Sequence, residues 1–411
     1  MNDTNQTQTK RSWQGWWFLA AQPLVLAALA AAAVSGSREF DREWRVPPLR
    51  EQPLRIRPLY DCPDVVSDEQ LRRALLKLRP RLSGPKTLLA DVDHALRCWG
   101  PEATFDDPQF VSGADLLGLL TDHRRFAELY GSQEQPALHD TPFGVCCRVK
   151  EGIATTSHPD HTLACLSEVG TPLSCPVVTP NRQTTLRAMV EQTLHDFNPT
   201  QEEYEWSAKV FALFLPPTKR WQSAEGQTLS FDLLADRIMR EDLPRGVCSG
   251  THRLFTLMAY LRLDEEHQIL SPGMRSRIEQ FLKNANKRLV AHQHQDGFWN
   301  ADWYFAPPAS SEPTQDSGDQ LHWRIIVTGH ALEYWALAPK PLQPPRKVLV
   351  AGADWIVRTI ETLPDDELRR NFSFLSHAVR ALSLWRGQEP FEALQALSHV
   401  AGADASQASA G

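Results

Sequence analysis

The chain has 411 residues, of which 42% are hydrophobic, and 13 tryptophans, enough apolar material for one large core or two ordinary ones. Its formal net charge is −7 at pH 7 and its basic residues form no block, which argues against nucleic acid as a partner. Runs of β-branched residues are few and helical periodicity recurs, which predicts an all-α fold.

The N-terminal region carries the most specific local pattern. Residues 13–34 are uncharged, carry Trp13, Trp16 and Trp17 near their start, and follow Lys10 and Arg11. This length suffices to cross a hydrocarbon layer of about 30 Å, and the upstream positive charges place residues 1–12 in the cytoplasm. The prediction is a transmembrane anchor with the bulk of the chain outside the cytoplasm, that is, a single-pass membrane protein. A cleaved signal peptide is the alternative, because Ala30–Ser35 is rich in small residues, and a buried core helix is a third.

The rest of the chain divides by composition. Residues 36–66 are charged and rich in proline, which is typical of a stalk. A helical domain is predicted over 67–401, beginning with a capping box formed by Ser67 and Gln70. From Lys86 onward the periodicity predicts about twelve helices, and twelve helices in antiparallel pairs would close an α/α toroid. The low-complexity tail at 402–411 is predicted to be disordered.

A glutamine–glycine–tryptophan pattern follows the helix predicted over 273–293. Gln293, Gly297 and Trp299 stand in the order Q-x-x-x-G-x-W, with Leu289 four residues earlier. Gly297 permits a positive φ, Trp299 can cover the helix end, and Gln293 can bond free carbonyls there. The pattern resembles the QW motif of the squalene cyclase and protein prenyltransferase superfamily. This resemblance implies an α/α toroid in which the motif has a structural role.

The catalytic motifs of that superfamily are missing from the sequence. Its protonating cyclases use D-x-D-D, and the nearest stretch is D-V-D-H at 91–94. Its prenyltransferases bind zinc through D-x-C, but Gly246 stands two residues before Cys248. The resemblance therefore implies a fold and neither activity.

Three predicted helices begin with a small residue followed by histidine, at His252, His330 and His377. In a toroid the inner helices direct their N-termini to one mouth, where their partial positive charge attracts anions and lowers histidine pKa values. Glu333 lies three residues after His330, so the two project from one helix face and suit an acid/base pair or two metal ligands. The candidate catalytic residues are His330, Glu333, His377 and His252, and the candidate substrate-binding residues are Asp296, Trp299, Trp303 and Trp323.

The segment Gly329-His330-x-x-Glu333 resembles the P-G-H-x-x-E motif of the N-acylglucosamine 2-epimerase family. Those proteins are α/α barrels in which the histidine and glutamate act on a sugar ring, so the resemblance implies acid/base roles for His330 and Glu333. Thr328 replaces the proline of that motif. The simpler interpretation is that His330 bonds nearby backbone and that Glu333 is a favourable acid in the first helical turn.

Neither resemblance brings a complete catalytic set, so a non-catalytic binding or scaffolding module is favoured. The alternative is an enzyme acting on a sugar-like or polymeric substrate. Either function would use the barrel mouth, for a sugar-like or a protein ligand. No cofactor and no metal ligand are predicted. The seven cysteines form no C-x-x-C pair, which argues against a zinc ribbon or a redox motif, and the chain has no credible P-loop or G-x-G-x-x-G. His158 and His161 are interpreted as part of a helix start, with Pro159 at the first helical position, in preference to a metal site.

Overall fold

A computed structural model describes residues 21–32, 45–217, 220–305 and 318–398. The structure is 57% helical, so helices provide most of the framework. In chain order, the first helices are α1 (21–32), α2 (Asp68–Lys77), α3 (Leu89–Trp99), α4 (Gly113–Thr121), α5 (His123–Tyr130), α6 (His161–Glu168), α7 (Leu186–Asp196), α8 (Glu205–Phe214) and α9 (Phe231–Arg240). The later ones are α10 (Thr251–His267), α11 (Pro272–His292), α12 (Gly318–Ala336), α13 (Arg346–Thr362), α14 (Asp365–Arg370), α15 (Phe372–Trp385) and α16 (390–398).

Short antiparallel hairpins join some of the helices. In the described part of the chain there are three, each with two strands. They pair β1 (Leu138–Asp140) with β2 (Val145–Cys147), β3 (Pro176–Val178) with β4 (Gln183–Thr185), and β5 (Trp221–Gln222) with β6 (Thr228–Leu229). These strands are two or three residues long, so they shape connections and do not form a sheet core.

Six helices form a closed ring around the centre of the molecule. Each helix contacts the next in the order α3, α6, α8, α10, α12, α15, and α15 returns to contact α3. All ten residues of α8 are buried, and α10 and α15 are buried on almost every side. Helices that bury every face belong to the interior of a large domain, and here they enclose the space in which the candidate site lies.

A second set of helices covers the outside of this ring. Helices α2, α4, α7, α9, α11 and α13 each contact at least one ring helix. They are amphipathic, as α9 illustrates: its buried residues Phe231, Leu234, Ala235 and Ile238 recur at helical spacing, while its other face is more exposed. The periodic apolar stripe therefore orients each outer helix against the ring.

The end of α11 follows the predicted QW-like geometry. The helix stops at His292, and Gly297 has a φ of 106°. The Trp299 indole N–H donates to the carbonyl of Leu289 at 2.7 Å, closing over the helix end. Gln293 donates to the carbonyls of Gly297 and Val348, at 2.9 and 2.8 Å. The turn therefore joins α11 to α13. The predicted roles of Gly297 and Trp299 are confirmed, whereas Gln293 bonds carbonyls of the turn and of α13 and not those at the end of α11.

Residues 45–66, within the segment for which a stalk is predicted, lie against one end of the ring. The Arg50 and Leu54 amides donate to the carbonyls of Phe214 and Leu213, at 2.8 and 3.0 Å. Further on, the amide of Cys62 donates to the carbonyl of Trp385 at 2.8 Å. These carbonyls belong to the C-terminal ends of α8 and α15, so this segment satisfies acceptors that the helices leave open.

The predicted transmembrane anchor is contradicted. In the described ranges no helix combines the length and the apolar composition needed to cross a bilayer. The described part of the predicted anchor is α1. The predicted fold class, a toroid bearing a transmembrane helix, is therefore wrong as stated, and so is the single-pass extracytoplasmic location. The predicted tails, 1–12 and 402–411, lie outside the described residues.

Candidate functional site

Each helix of the ring contributes one aromatic side chain to a closed circle at its centre, here called the aromatic circle. Neighbouring ring centroids around it are 4.8, 4.7, 4.3, 4.3, 3.9 and 5.0 Å apart. The last of these distances joins the sixth ring to the first, so the circle is complete. In order, its members are His94, His161, Trp206, His252, His330 and His377.

The aromatic circle is buried, and none of its members is more than 8% exposed. Burial lowers the pKa of His94 to about 3, with the neighbouring His161 contributing. Burial also brings the pKa values of His252 and His377 well below their usual range, and His330 adds to the effect on both. The histidines are therefore neutral at pH 7, which leaves imidazole nitrogens able to act as lone-pair donors.

A chain of alternating charged side chains, here called the charge chain, lies next to the aromatic circle. Most of these residues follow a member of the circle by three positions in the same helix. Arg97 forms ion pairs with Glu168 at 2.9 Å and with Glu333 at 2.7 Å. Glu333 also pairs with Arg380 at 2.7 Å. Lys209 extends the chain from Glu168. Burial by itself raises the pKa of Glu168, but Arg97 and Lys209 outweigh it and hold this pKa at about 2. Arg380 also pairs with Glu389 at 3.3 Å, so the three cations of the ionised chain are matched by three carboxylates.

Glu333 connects the charge chain to the aromatic circle. One of its oxygens, Oε2, lies 2.9 Å from Nδ1 of His377 and 3.4 Å from Nδ1 of His330. Arg97 also lies 2.8 Å from Nδ1 of His377. This nitrogen can either donate a hydrogen bond to Glu333 or accept one from Arg97, so the two bonds are alternatives. The carboxylate orients both rings, and in each of them the other nitrogen, Nε2, is buried without a hydrogen-bond partner in the described structure.

Cys248 reaches the same region from a constrained loop before α10. Three successive residues, Cys248, Ser249 and Gly250, have positive φ angles of 50°, 55° and 79°. This conformation is unfavourable for the first two residues, which carry a Cβ. The Trp303 indole N–H donates to the Ser249 carbonyl at 3.2 Å and holds the loop. Strain of this kind is commonly found where a loop presents a functional group.

Among the residues that the structure describes, two groups of side chains bring metal-ligating atoms within 4.8 Å of one another. The first consists of Cys248, His252 and His330, and the second of His330, Glu333 and His377. Thiolate and imidazole are the donors that zinc-class ions prefer, and a carboxylate can join them. The arrangement can therefore bind a transition-metal ion, or exchange a proton between histidine and carboxylate.

A further polar chain runs from Asp93 to Cys165. Asp93 Oδ2 lies 3.2 Å from Nδ1 of His161, whose Nε2 lies 3.7 Å from the Cys165 sulfur. The same oxygen accepts hydrogen bonds from Thr156 and Thr162, at 3.1 Å each. Burial raises the pKa of Asp93 to about 6 and that of the fully buried Cys165 well above its usual range. Cys165 is therefore a protonated core thiol and not an activated nucleophile.

The structure brings the four predicted catalytic residues together and separates the predicted substrate-binding residues. Ring centroids of His330 and His377 are 3.9 Å apart, and Glu333 contacts both rings. Trp299 and Trp303 are buried with their indole N–H groups bonded to backbone, so their faces pack in the core. Asp296 is exposed and lies beside His294, at 3.3 Å, while Trp323 is 41% exposed. These four residues do not form a common stacking surface.

Sequence reasoning missed half of the aromatic circle, namely His94, His161 and Trp206. The signal that could have found the histidines is a repeated His-x-Leu or His-x-Val, which occurs at 94, 161, 252, 330 and 377. Charged residues three positions after a circle member, such as Arg97 and Lys209, give a second signal, because this spacing returns to the same helix face.

Comparisons with known protein families, curated proteins and solved structures find no match to this chain. The resemblances to the cyclase and epimerase families therefore stay predictions from short motifs.

Proposed function

We propose that the protein is a metal-binding module whose ring of helices holds one divalent transition-metal ion of the zinc class. Cys248, His252 and His330 supply the first ligands, and His377 is the nearest further donor. The observation that carries this proposal is the arrangement at His330. Its Nδ1 faces Glu333 and its buried Nε2 has no partner among the described residues. Metal-bound histidines commonly show this pattern, with the second nitrogen bonded to a carboxylate.

The group containing Cys248 is a better site than the group containing Glu333. Both oxygens of Glu333 are already engaged, and its Oε1 lies 2.7 Å from Arg97 and from Arg380. Two guanidinium groups beside the same carboxylate repel an incoming cation. Glu333 therefore fits the role of a positioning residue, which orients His330 and increases its basicity.

The donor atoms suit an ion of this size and class. With metal–ligand bonds of about 2.0–2.3 Å, tetrahedral donors lie about 3.3–3.8 Å apart. Atoms already within 4.8 Å can close around an ion by movements of about 1 Å. The histidines are neutral, as ligands must be, but burial raises the pKa of Cys248 to about 12. Binding therefore releases a proton from this thiol, because the thiolate is the ligand.

Titration of the metal-free protein with Zn²⁺ tests the proposal. After treatment with a chelator, the full chain should bind one ion with a dissociation constant below about 1 μM. Co²⁺ in place of Zn²⁺ should give a sulfur-to-metal charge-transfer absorption, which Cys248→Ser abolishes. His330→Ala should weaken binding by more than about 100-fold, and Glu333→Gln by about 10–100-fold.

Two controls keep the result interpretable. His267→Ala removes a partly exposed histidine from the same helix as His252, and Cys175→Ser removes a cysteine away from the site. Both variants should bind Zn²⁺ as the wild type does. Absence of Zn²⁺ binding by the folded wild type, or equal losses in His267→Ala and His330→Ala, would overturn the proposal.

A second candidate is the acid/base enzyme acting on a sugar-like substrate, with His330 as the acid/base and Glu333 as its partner. The distance of 3.4 Å between Nδ1 of His330 and Oε2 of Glu333 favours it, because proton transfer needs such proximity. The burial of the aromatic circle counts against it, since a sugar needs a cavity whereas a metal ion needs only converging donors. Turnover of a sugar substrate in the presence of a chelator, lost in Glu333→Gln, would favour the enzyme.

A further inference from the structure

A groove on the outer surface has a different chemistry from the ring interior. It lies between the segment that follows α2 and the start of α14, and encloses about 550 Å³. This groove, here called the basic groove, is lined by six basic residues and three acidic ones, a balance of +3 when all are ionised. The basic residues are Lys77, Arg79, Arg81, Lys86, Arg369 and Arg370. On a chain with a net charge of −7, this is a local reversal of sign.

The acidic residues of the basic groove do not neutralise its cations evenly. Asp366 accepts a hydrogen bond from Arg370 at 2.9 Å, which engages one pair. Asp91 accepts from the Ser373 hydroxyl at 2.5 Å, and burial raises its pKa. The guanidinium of Arg369 has neither a hydrogen bond nor an ion pair among the described residues, whereas that of Arg81 lies over the Phe110 ring and interacts electrostatically with Asp107. The lining of the groove is therefore positively charged and only partly neutralised, with Asp107 beside Arg79 and Arg81 and Asp366 beside Arg370.

Two cations of the groove are crowded together. The guanidinium carbons of Arg79 and Arg81 lie 3.8 and 4.7 Å from the centre of the Phe110 ring. Burial lowers the pKa of Arg79, Asp107 opposes this, and Arg81 lowers it further. The Phe110 ring offsets part of the repulsion between the two guanidinium groups. A bound anion would offset more of it, because it places a full negative charge beside both groups.

The floor of the basic groove is apolar. Leu76, Leu88 and Phe372 line it, and Leu88 is 43% exposed. An aliphatic side chain left in water beside several cations offers a ligand both an apolar and an ionic contact. A simple inorganic anion would use only the cations.

We infer that the basic groove binds a free amphiphilic carboxylate, that is, a medium-chain acyl anion. Arg81 and Arg369 hold the carboxylate, and the acyl chain covers Leu88 and Phe372. The volume of about 550 Å³ lies within the range of small-molecule sites, about 300–1,000 Å³, so the ligand is a small molecule and not a folded partner. This function is separate from the proposed metal centre, because none of the proposed metal ligands lines the groove.

Calorimetric titration of the full chain with decanoate, below the concentration at which it forms micelles, tests the inference. Binding should tighten by about fourfold for each methylene added from octanoate to dodecanoate, since burying one methylene contributes about 0.8 kcal/mol. Decanol lacks the charge and acetate lacks the chain, so both should bind at least tenfold more weakly than decanoate.

Charge-reversal variants locate the site. The double variant Arg81→Glu and Arg369→Glu should weaken decanoate binding by at least tenfold, and Leu88→Ser should flatten the dependence on chain length. The matched control is the double variant Lys283→Glu and Lys287→Glu, which changes the same charge on the exposed face of α11 and should bind as the wild type does. Circular dichroism confirms that each variant is folded.

Three results would overturn the inference. Undetectable decanoate binding by the wild type is the first, and equal weakening in the two double variants is the second. Acetate or inorganic phosphate binding as tightly as decanoate is the third, because it would indicate a general anion site without an apolar component. The groove variants should leave the Zn²⁺ titration unchanged, because they alter none of the proposed metal ligands, so the two proposals are tested separately.

Discussion

Replacing Glu333 by glutamine is expected to be the most destabilising single change of charge in this protein. Glu333 is 1% exposed and receives Arg97 and Arg380 on one oxygen and two histidines on the other. Glutamine keeps the shape but removes the charge, so two buried guanidinium groups lose a shared counter-ion. Each of them keeps one other carboxylate, Glu168 or Glu389.

The magnitude follows from that arrangement. Breaking a buried ion pair costs about 3–5 kcal/mol, and the remaining carboxylates place the expected loss near the lower end, at about 3 kcal/mol. With a urea dependence of about 3 kcal/mol per M for a large domain, the unfolding midpoint should fall by about 1 M. Tryptophan fluorescence in urea measures it, with chelator present so that metal binding does not contribute.

The matched control is Glu367→Gln, which removes the same charge from a more exposed ion pair with Arg370. It should change the free energy of unfolding by less than about 1 kcal/mol. The double variant Glu333→Gln and Arg380→Met also removes one of the two arginines that Glu333 pairs with. It should therefore recover part of the lost free energy of unfolding. If Glu333→Gln is no more destabilising than Glu367→Gln, the charge chain does not stabilise the ring and the reasoning is refuted.

Two further predictions concern backbone strain and pH. Gly297→Ala should destabilise the fold by about 2–3 kcal/mol, because its Cβ would lie 2.1 Å from the Ala351 carbonyl oxygen at a φ of 106°. Gly273→Ala, whose Cβ meets nothing within 4 Å, should be stabilising by about 0.5–1 kcal/mol in urea unfolding. Burial lowers the pKa of His94 from 6.5 to about 3, so the unfolded chain binds more protons below pH 6.5. The stability that neutral His94 contributes is therefore complete above pH 6.5 and is lost as the pH falls towards 3. The variant His94→Gln should have a smaller difference between its urea midpoints at pH 7 and pH 5 than the wild type has. An unchanged difference would contradict this reasoning.

The local elements of this protein were determined by its sequence. Ser67 and Gln70 form the predicted capping box, and α11 ends at the predicted glutamine–glycine–tryptophan turn. Such features depend on residues within one or two helical turns, where hydrogen-bond geometry and glycine conformation leave few alternatives. The uncharged N-terminal stretch shows the limit of this reasoning, because composition alone predicted a membrane span that the described helices do not contain.

The candidate site was decided by tertiary structure. The sequence indicates that His330 and Glu333 share a helix face, but it cannot show that His94, 236 residues earlier, belongs to the same circle of rings. That contact exists because α15 closes the ring against α3, which no local pattern specifies. Closure buries the histidines, and burial then keeps them neutral and leaves Nε2 of His330 and His377 without a hydrogen-bond partner among the described residues. The chemistry of the site is therefore a property of the closed ring, although its individual side chains can be read from the sequence.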